Sequence, residues 1–251
     1  MITGFRNDDN GTKDKTIMAM LEGQERAAYV QDMFDRIAFR YNLMNRLMTM
    51  GQDVQWRKFV VKKANLSPGD RLLDLATGTG DIAFEAIKTV PGITAVGSDF
   101  SLGMMLEGQK DRLGKRVLWS GADALNLPFS ANTFNAVTAG YLLRNVSDIS
   151  RALSEQFRVL KPGGRVVILD TSPPPHNLLR PFILIHLRYV IPVLGRMISG
   201  NADAYEYLPE STQAFKTPDE LALLMRQAGF VDVQYRTFMF ATMAVHWGIK
   251  P

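Results

Sequence analysis

The segment Leu73-Asp74-Leu75-Ala76-Thr77-Gly78-Thr79-Gly80-Asp81 runs an apolar stretch into two glycines one residue apart, with a carboxylate before and after the turn. An apolar strand that enters such a turn and continues as a helix puts flexible backbone at the carboxyl edge of a sheet, where a ligand can approach closely. Asp74 can orient that loop, or hold a cationic amino group through charge-assisted hydrogen bonds. Asp99 ends the next apolar run about twenty residues after the turn, where a carboxylate can accept both hydroxyls of a ribose. Asp123, with Ala124, ends a third run and can receive an adenine amino group. Any one of these aspartates alone reads equally well as a loop cap. Three at successive strand ends behind Gly78 and Gly80 favour S-adenosylmethionine, which has a ribose, an adenine and a cationic amino-acid end. Gly78, Gly80 and Ala83 also satisfy a relaxed dinucleotide pattern, but Asp74 would repel a pyrophosphate.

These residues need a sheet to hold them. Apolar runs at 71–76, 93–98, 117–122, 134–140 and 165–170 read as buried strands, with helical segments between them, which predicts parallel pairing. The helix after Ser147 stops at Lys161-Pro162-Gly163-Gly164, read as a turn, with a strand restarting at Arg165. Thr217-Pro218-Asp219-Glu220 combines an N-cap, a first-turn proline and a capping-box glutamate, and Gly229 is placed to end that helix. Stretches 231–238 and 240–247 are so close in sequence that they pair as an antiparallel hairpin. Val30, Met33, Phe34, Ile37, Ala38 and Tyr41 make one apolar face of an N-terminal helix. Residues 1–25 lack that periodicity and read as a mobile arm. The long connection 173–216, apolar from Leu178 to Ile198, reads as a lid or binding lobe. Its arginines and prolines interrupt it too often for a membrane-spanning helix.

Composition narrows the chemistry. Zero cysteines exclude thiol nucleophiles, disulfides and cysteine-ligated metals, and fit a reducing compartment. His176, His186 and His246 lie at no metal-binding spacing, so no metal is expected. A net charge of +4 from scattered residues is weak support for nucleic acid and equally compatible with an anionic membrane surface. His246, inside a predicted apolar strand, reads as a satisfied core histidine rather than a base.

Tyr41-Asn42-Leu43-Met44-Asn45, Trp56-Arg57, Leu73 to Asp81, Leu127-Pro128-Phe129, Arg144-Asn145-Val146, Leu160-Lys161-Pro162-Gly163-Gly164, Tyr207-Leu208-Pro209-Glu210-Ser211 and Ala228-Gly229-Phe230 together resemble the ubiquinone/menaquinone biosynthesis C-methyltransferases. The resemblance runs from about residue 26 to the end. It implies an α/β fold of the class I methyltransferase, Rossmann-like type: a mostly parallel sheet with a C-terminal antiparallel hairpin, N-terminal helices and a helical lid insertion, all within 26–251. It also implies methyl transfer from S-adenosylmethionine to a ring carbon of a reduced polyprenyl quinone, with Thr79, Asp99, Phe100, Asp123 and Ala124 at cofactor-contact positions. Gly140 falls where some family members carry a serine. Tyr141-Leu142-Leu143 replaces the usual Phe-Gly-Leu, so the bulk of Leu142 is expected to reshape the pocket. Asp170-Thr171-Ser172-Pro173 leans towards the menaquinone branch.

Activating a quinol carbon calls for a cation near the developing phenolate. Arg144 is expected to supply it, Asn145 to orient the ring oxygen and Tyr41 to close the pocket. The 178–198 segment is expected to guide the prenyl tail, giving a cytoplasmic enzyme in peripheral contact with the inner face of the membrane. Self-association is expected from the resemblance alone. A ubiquinone-precursor benzoquinol, another hydrophobic phenol or lipid, an NAD-dependent oxidoreductase and a cofactor-binding module without turnover stay open as alternatives.

Overall fold

The computed structural model describes residues 23–178, 180–190, 193 and 211–251. Among the described residues three helices, α1 (Gly23–Ile37), α2 (Tyr41–Met48) and α3 (Asp53–Ala64), precede the sheet. There follow β1 (Arg71–Leu75), α4 (Asp81–Thr89), β2 (Thr94–Asp99), α5 (Leu102–Gln109), β3 (Val117–Gly121), β4 (Phe134–Gly140), α6 (Ile149–Val159) and β5 (Leu160–Thr171). Helix α7 (Arg180–Ile185), helix α8 (Pro218–Gln227) and strands β6 (Val231–Phe238) and β7 (Met243–Ile249) complete the described chain.

The strands form one sheet in the order β3-β2-β1-β4-β5-β7-β6. The first five are parallel, whereas β7 runs antiparallel to both β5 and β6. Strand order reverses between β1 and β4, so a crevice opens at their carboxyl ends, where open α/β sheets take ligands. Successive residues of each strand feed opposite faces. Leu73, Val137, Val166 and Ile168 enter the core on one face with Ala152 and Leu153 of α6 and Met225 of α8. Leu72, Ala136, Val167 and Leu169 pack on the other face with Trp56 and Val60 of α3. Strand β5 is thus apolar on both faces, as a central strand must be. Each such aliphatic burial contributes about 1.5–3 kcal/mol.

Lys161-Pro162-Gly163-Gly164 does not separate a helix from a strand as expected: β5 already begins at Leu160. Leu160 pairs with Phe134 and Arg165 with Ala136, so the four residues bulge out of a continuous strand. Gly163, at φ +78°, supplies the left-handed backbone that the bulge needs. The α8 capping box forms as expected: Thr217 Oγ1 accepts from Glu220 N, and Thr217 N donates to Glu220 Oε2.

Helices α1 and α2 have their own small core of Val30, Met33, Ile37, Met44 and Met48. Asp35 ties it to the sheet by accepting from Ser101 Oγ and, at 2.8 Å, from Gly103 N. A β-carbon on Gly103 would lie 2.6 Å from Asp35 Oδ1, so this contact demands glycine. Helix α1 starts at Gly23, inside the segment expected to be an arm; the rest of that arm, and most of 191–210 of the expected lid, lie outside the described residues.

His246 is buried in β7, its Nε2 2.9 Å from Pro218 O, while Nδ1 has no partner. Burial therefore holds its pKa down to about 4. Between the ordinary histidine value and 4 the unfolded chain takes up the proton and the folded chain does not, so stability falls as pH falls through that window. Chemical denaturation from pH 7 to 4 should show wild type losing up to about 3 kcal/mol more than His246→Gln. Parallel pH profiles for the two proteins would contradict this.

Candidate functional site

Asp74 lies near the carboxyl end of β1, buried, and opposite Thr138 in the register with β4. Its Oδ1 accepts from Thr138 Oγ1 at 2.7 Å and its Oδ2 from Thr77 Oγ1 at 2.8 Å. Burial raises its pKa to about 6, although both hydroxyls oppose the shift. Both oxygens are thus bonded from inside the protein, an arrangement that suits orienting the loop, one of the two roles expected for Asp74. After β1 the chain turns at Ala76, a non-glycine residue at φ +49°, and after β4 it turns at Tyr141, φ +59°. Both strands flanking the switch point therefore end in left-handed backbone, which costs about 1–2 kcal/mol for each residue.

The glycine turn is tied to the next strand. Asp99 Oδ2 accepts from Gly78 N at 2.7 Å, and Oδ1 accepts from Ser101 N at 2.8 Å. With Phe100 N as a third backbone donor, the carboxylate still has acceptor capacity left, which suits a ribose hydroxyl. Gly78 sits at φ +56° and Gly80 at φ +89°. A β-carbon on Gly80 would meet Phe84 at 2.8 Å and Trp119 at 2.9 Å, so Gly80 serves helix-to-sheet packing. Thr79 is buried, its Oγ1 2.9 Å from Asn42 Oδ1 and 3.0 Å from Asp81 Oδ2.

Phe100 is half exposed beside Asp99, and its carbonyl accepts from Gln31 of α1. Asp123 is exposed just beyond β3 and accepts from Leu125 N, while Ala124 packs partly into the core. Gly140 ends β4 against Ile82. The expected cofactor residues thus converge on the carboxyl ends of four neighbouring strands. Their chemistry fits S-adenosylmethionine: acceptors for hydroxyl and amino groups, and carboxylates that disfavour a pyrophosphate.

A second group adjoins the ends of β4 and β5. Arg144 is buried, its Nη1 3.2 Å from Thr171 Oγ1, its Nε 3.8 Å from Asp170 Oδ1 and its Cζ 5.0 Å from the centre of the Tyr141 ring. Its Nε has no hydrogen-bond acceptor. Burial pushes Asp170 above the usual carboxylate range, and the Arg144 cation opposes that rise. Tyr41 joins the group: burial raises its pKa, and the neighbouring Asn45, Arg144 and Arg57 partly offset the shift. Burial and the neighbouring Tyr41 likewise raise Tyr141. Arg57 Nη1 lies 3.2 Å from Asp53 and 3.1 Å from Asp81, which links this group to the start of α4. Asn145 Nδ2 donates to Tyr141 O at 2.7 Å and braces the turn. Leu142 does not reshape the pocket as expected; it is buried in the core with Leu143.

Thr77, Thr138, Tyr141 and Asp170 carry roles that sequence spacing did not assign. Thr77 had a signal, three residues after Asp74. Asp170, closing the fifth apolar run, had the same signal as Asp99. Thr138 meets Asp74 only through strand register, which no local pattern encodes. Replacing Asp99 by alanine should weaken S-adenosylhomocysteine binding at least about tenfold in calorimetry, because two charge-assisted acceptors are lost. Unchanged affinity would remove Asp99 from the site.

Residues 20–250 match the ubiE/COQ5 methyltransferase family. The chain is 53% identical over 221 residues to a ubiquinone/menaquinone biosynthesis C-methyltransferase UbiE of Desulfotalea psychrophila, covering 88% of this chain and 90% of that one. It is 43% identical to a demethylmenaquinone methyltransferase of Thermus thermophilus, covering 87% and 100%. A solved Haemonchus contortus phosphoethanolamine N-methyltransferase, in complex with phosphomonomethylethanolamine and S-adenosylhomocysteine, shares the fold at TM-score 0.60 and 18% identity, covering 78% of this chain and 52% of that one. Fold, site chemistry and the match across nearly the whole sequence agree, and the chain belongs to the ubiE/COQ5 methyltransferase family.

Proposed function

We propose that this S-adenosylmethionine-dependent methyltransferase methylates a ring carbon of demethylmenaquinol. The buried Arg144 cation, beside Tyr41 and Tyr141 and held by Asp170 and Thr171, carries the catalytic part of this reading. When bound, S-adenosylmethionine supplies an electrophilic methyl on a sulfonium. The chain's own residues then have two tasks: to hold the acceptor in line and to make its carbon electron-rich.

Arg144 performs the second task by stabilising negative charge on the ring oxygen as its proton departs. Its guanidinium is fixed from behind by Asp170 and Thr171 and flanked by the Tyr141 ring, so little reorganisation is needed at the moment of reaction. Tyr41, whose proton is held firmly by burial, closes the pocket as a donor. Asn145 holds the Tyr141 turn in place beside the ring oxygen. A quinol answers this arrangement because it has a hydroxyl to lose, whereas the oxidised quinone has none. The demethylmenaquinone methyltransferases among the relatives and the Asp170-Thr171-Ser172-Pro173 segment favour the naphthoquinol over a benzoquinol.

A polyprenyl acceptor lives in a bilayer, so the enzyme works in peripheral contact with one, on the cytoplasmic side. Among the described residues no helix is long and apolar enough to cross a membrane. Exposed Leu178, Phe182 and Tyr189 around α7 suit the prenyl tail. Arg144→Ala should lower methyl transfer to demethylmenaquinol by about a hundredfold or more while leaving S-adenosylhomocysteine affinity within about twofold. Radiolabelled transfer and calorimetry read the two effects, and undiminished transfer would remove Arg144 from catalysis.

A further inference from the structure

The hairpin that closes the sheet turns through an unusual backbone. Phe238 of β6 pairs with Met243 of β7, so residues 239–242 make the connection. Hairpin loops of this length are most often built around a type I turn, and left-handed positions in hairpins go to glycine, asparagine or aspartate. Here Met239, Phe240 and Ala241 stand in succession at φ +47°, +55° and +63°. A side chain makes each of these positions unfavourable, a bulky one most of all. The rest of the loop holds them in place. Thr242 donates twice to Met239 O, from Oγ1 at 2.7 Å and from its backbone N at 3.1 Å, and Thr242 O accepts from Ser172 N at 2.8 Å. At the base of the loop, the Phe238 ring lies 5.3 Å from that of Phe59 and 6.4 Å from that of Trp56. Phe240, on this braced turn, is nevertheless 68% exposed. Burial does not account for strained backbone beneath an exposed ring, and such outliers cluster where ligands are clamped.

The loop stands on the functional edge of the sheet. Met243 lies opposite Thr171, the last residue of β5, at one strand spacing of about 4.8 Å. Thr171 is the residue whose Oγ1 accepts from Arg144, and Ser172, which tethers the loop, follows it directly. Tyr141, beside the Arg144 guanidinium, and Met239 both pack on the apolar cluster that contains Trp56, Leu169 and Met243. Along the sheet the order runs β1, β4, β5, β7, β6. The cofactor turn after β1 is therefore on one flank of the Arg144 group and the hairpin tip is on the other.

We propose that Phe240 contacts the fused second ring of a naphthoquinol acceptor and thereby sets selectivity against benzoquinols. This rests on the acceptor reading above and adds the residue that discriminates. The carbon that takes the methyl must face the sulfonium, on the β1 flank. In a naphthoquinol the fused ring joins the quinol ring across from that carbon, so it extends towards β5 and β7, where the hairpin tip stands. An aromatic side chain meets a second aromatic ring in edge or offset contact and removes apolar surface of both from water. A benzoquinol brings no second ring and gains nothing there. The braced turn adds to the effect, because a side chain already fixed on rigid backbone loses little freedom when the acceptor binds. Phe240 touches no reacting atom, so its influence belongs in acceptor binding and not in the transfer step.

The test is steady-state methyl transfer by the full-length enzyme to demethylmenaquinol and to a benzoquinol with the same short prenyl tail, comparing wild type with Phe240→Gly and Phe240→Tyr. Glycine accepts φ +55° at no steric cost, so the first variant removes the ring and leaves the turn. Its KM for demethylmenaquinol should rise about tenfold with kcat within about twofold, while KM for the benzoquinol and S-adenosylhomocysteine affinity stay as in wild type. Phe240→Tyr keeps the aromatic face and should keep wild-type selectivity. If the glycine variant fails to fold, Phe240→Asn, which also tolerates left-handed backbone, gives the same reading. Unchanged selectivity without the ring overturns the inference, as does an equal loss on both quinols, which would make Phe240 structural. Wild type that methylates the benzoquinol but not demethylmenaquinol overturns the acceptor reading, and this inference with it.

Discussion

A carboxylate buried between two strands sets the geometry of this protein. Asp74 is 1% exposed, yet each of its oxygens carries a threonine hydroxyl, one from the loop it precedes and one from the neighbouring strand. A buried carboxyl without those donors would cost several kcal/mol, so the loop and β4 must meet it at the correct register. That requirement fixes the left-handed turn at Ala76 and the approach of Gly78 to Asp99. It also places the ends of β1 and β4 side by side.

The second polar group is held differently. Arg144 and Asp170 are both buried, but the contact between them is long, and Arg144 keeps an Nε without an acceptor. A pair built only for stability would close that bond, since a buried unpaired donor costs about 1–3 kcal/mol. Two tyrosines whose protons are held by burial lie beside this pair. The same economy shapes the N-terminal helices. Asp35 pins them over the start of α5 by bonds to Ser101 and Gly103, which brings Tyr41 to the pocket from outside the sheet.

Much of this was legible before the structure, and what was not has a common cause. The strands, the C-terminal hairpin and the capping box follow from local periodicity and local turn chemistry, which act within a few residues. The glycine turn with Asp74 and Asp99 was legible because acids at strand ends recur at chain spacings that a parallel sheet brings together. Thr138 and Tyr141 were not, because their roles come from register across the sheet and from a backbone turn that glycine would ordinarily fill. The stretch at Lys161 to Gly164 misled for a related reason: turn residues serve equally well in a bulge, and only the partner strand decides which. Leu142 follows the same rule, since its side chain enters the core.

The cofactor turn should depend on the internal hydrogen bonds of one buried carboxylate, Asp74. Calorimetric titration of S-adenosylhomocysteine into Thr138→Val and Asp74→Asn measures this dependence, because Thr138→Val removes one of those bonds while leaving every proposed ligand-contacting side chain in place. At least about tenfold weaker binding is expected for each, with a double variant little worse than either single one, since both act through the same hydrogen bond. Wild-type affinity in both, or losses that simply add, would contradict it.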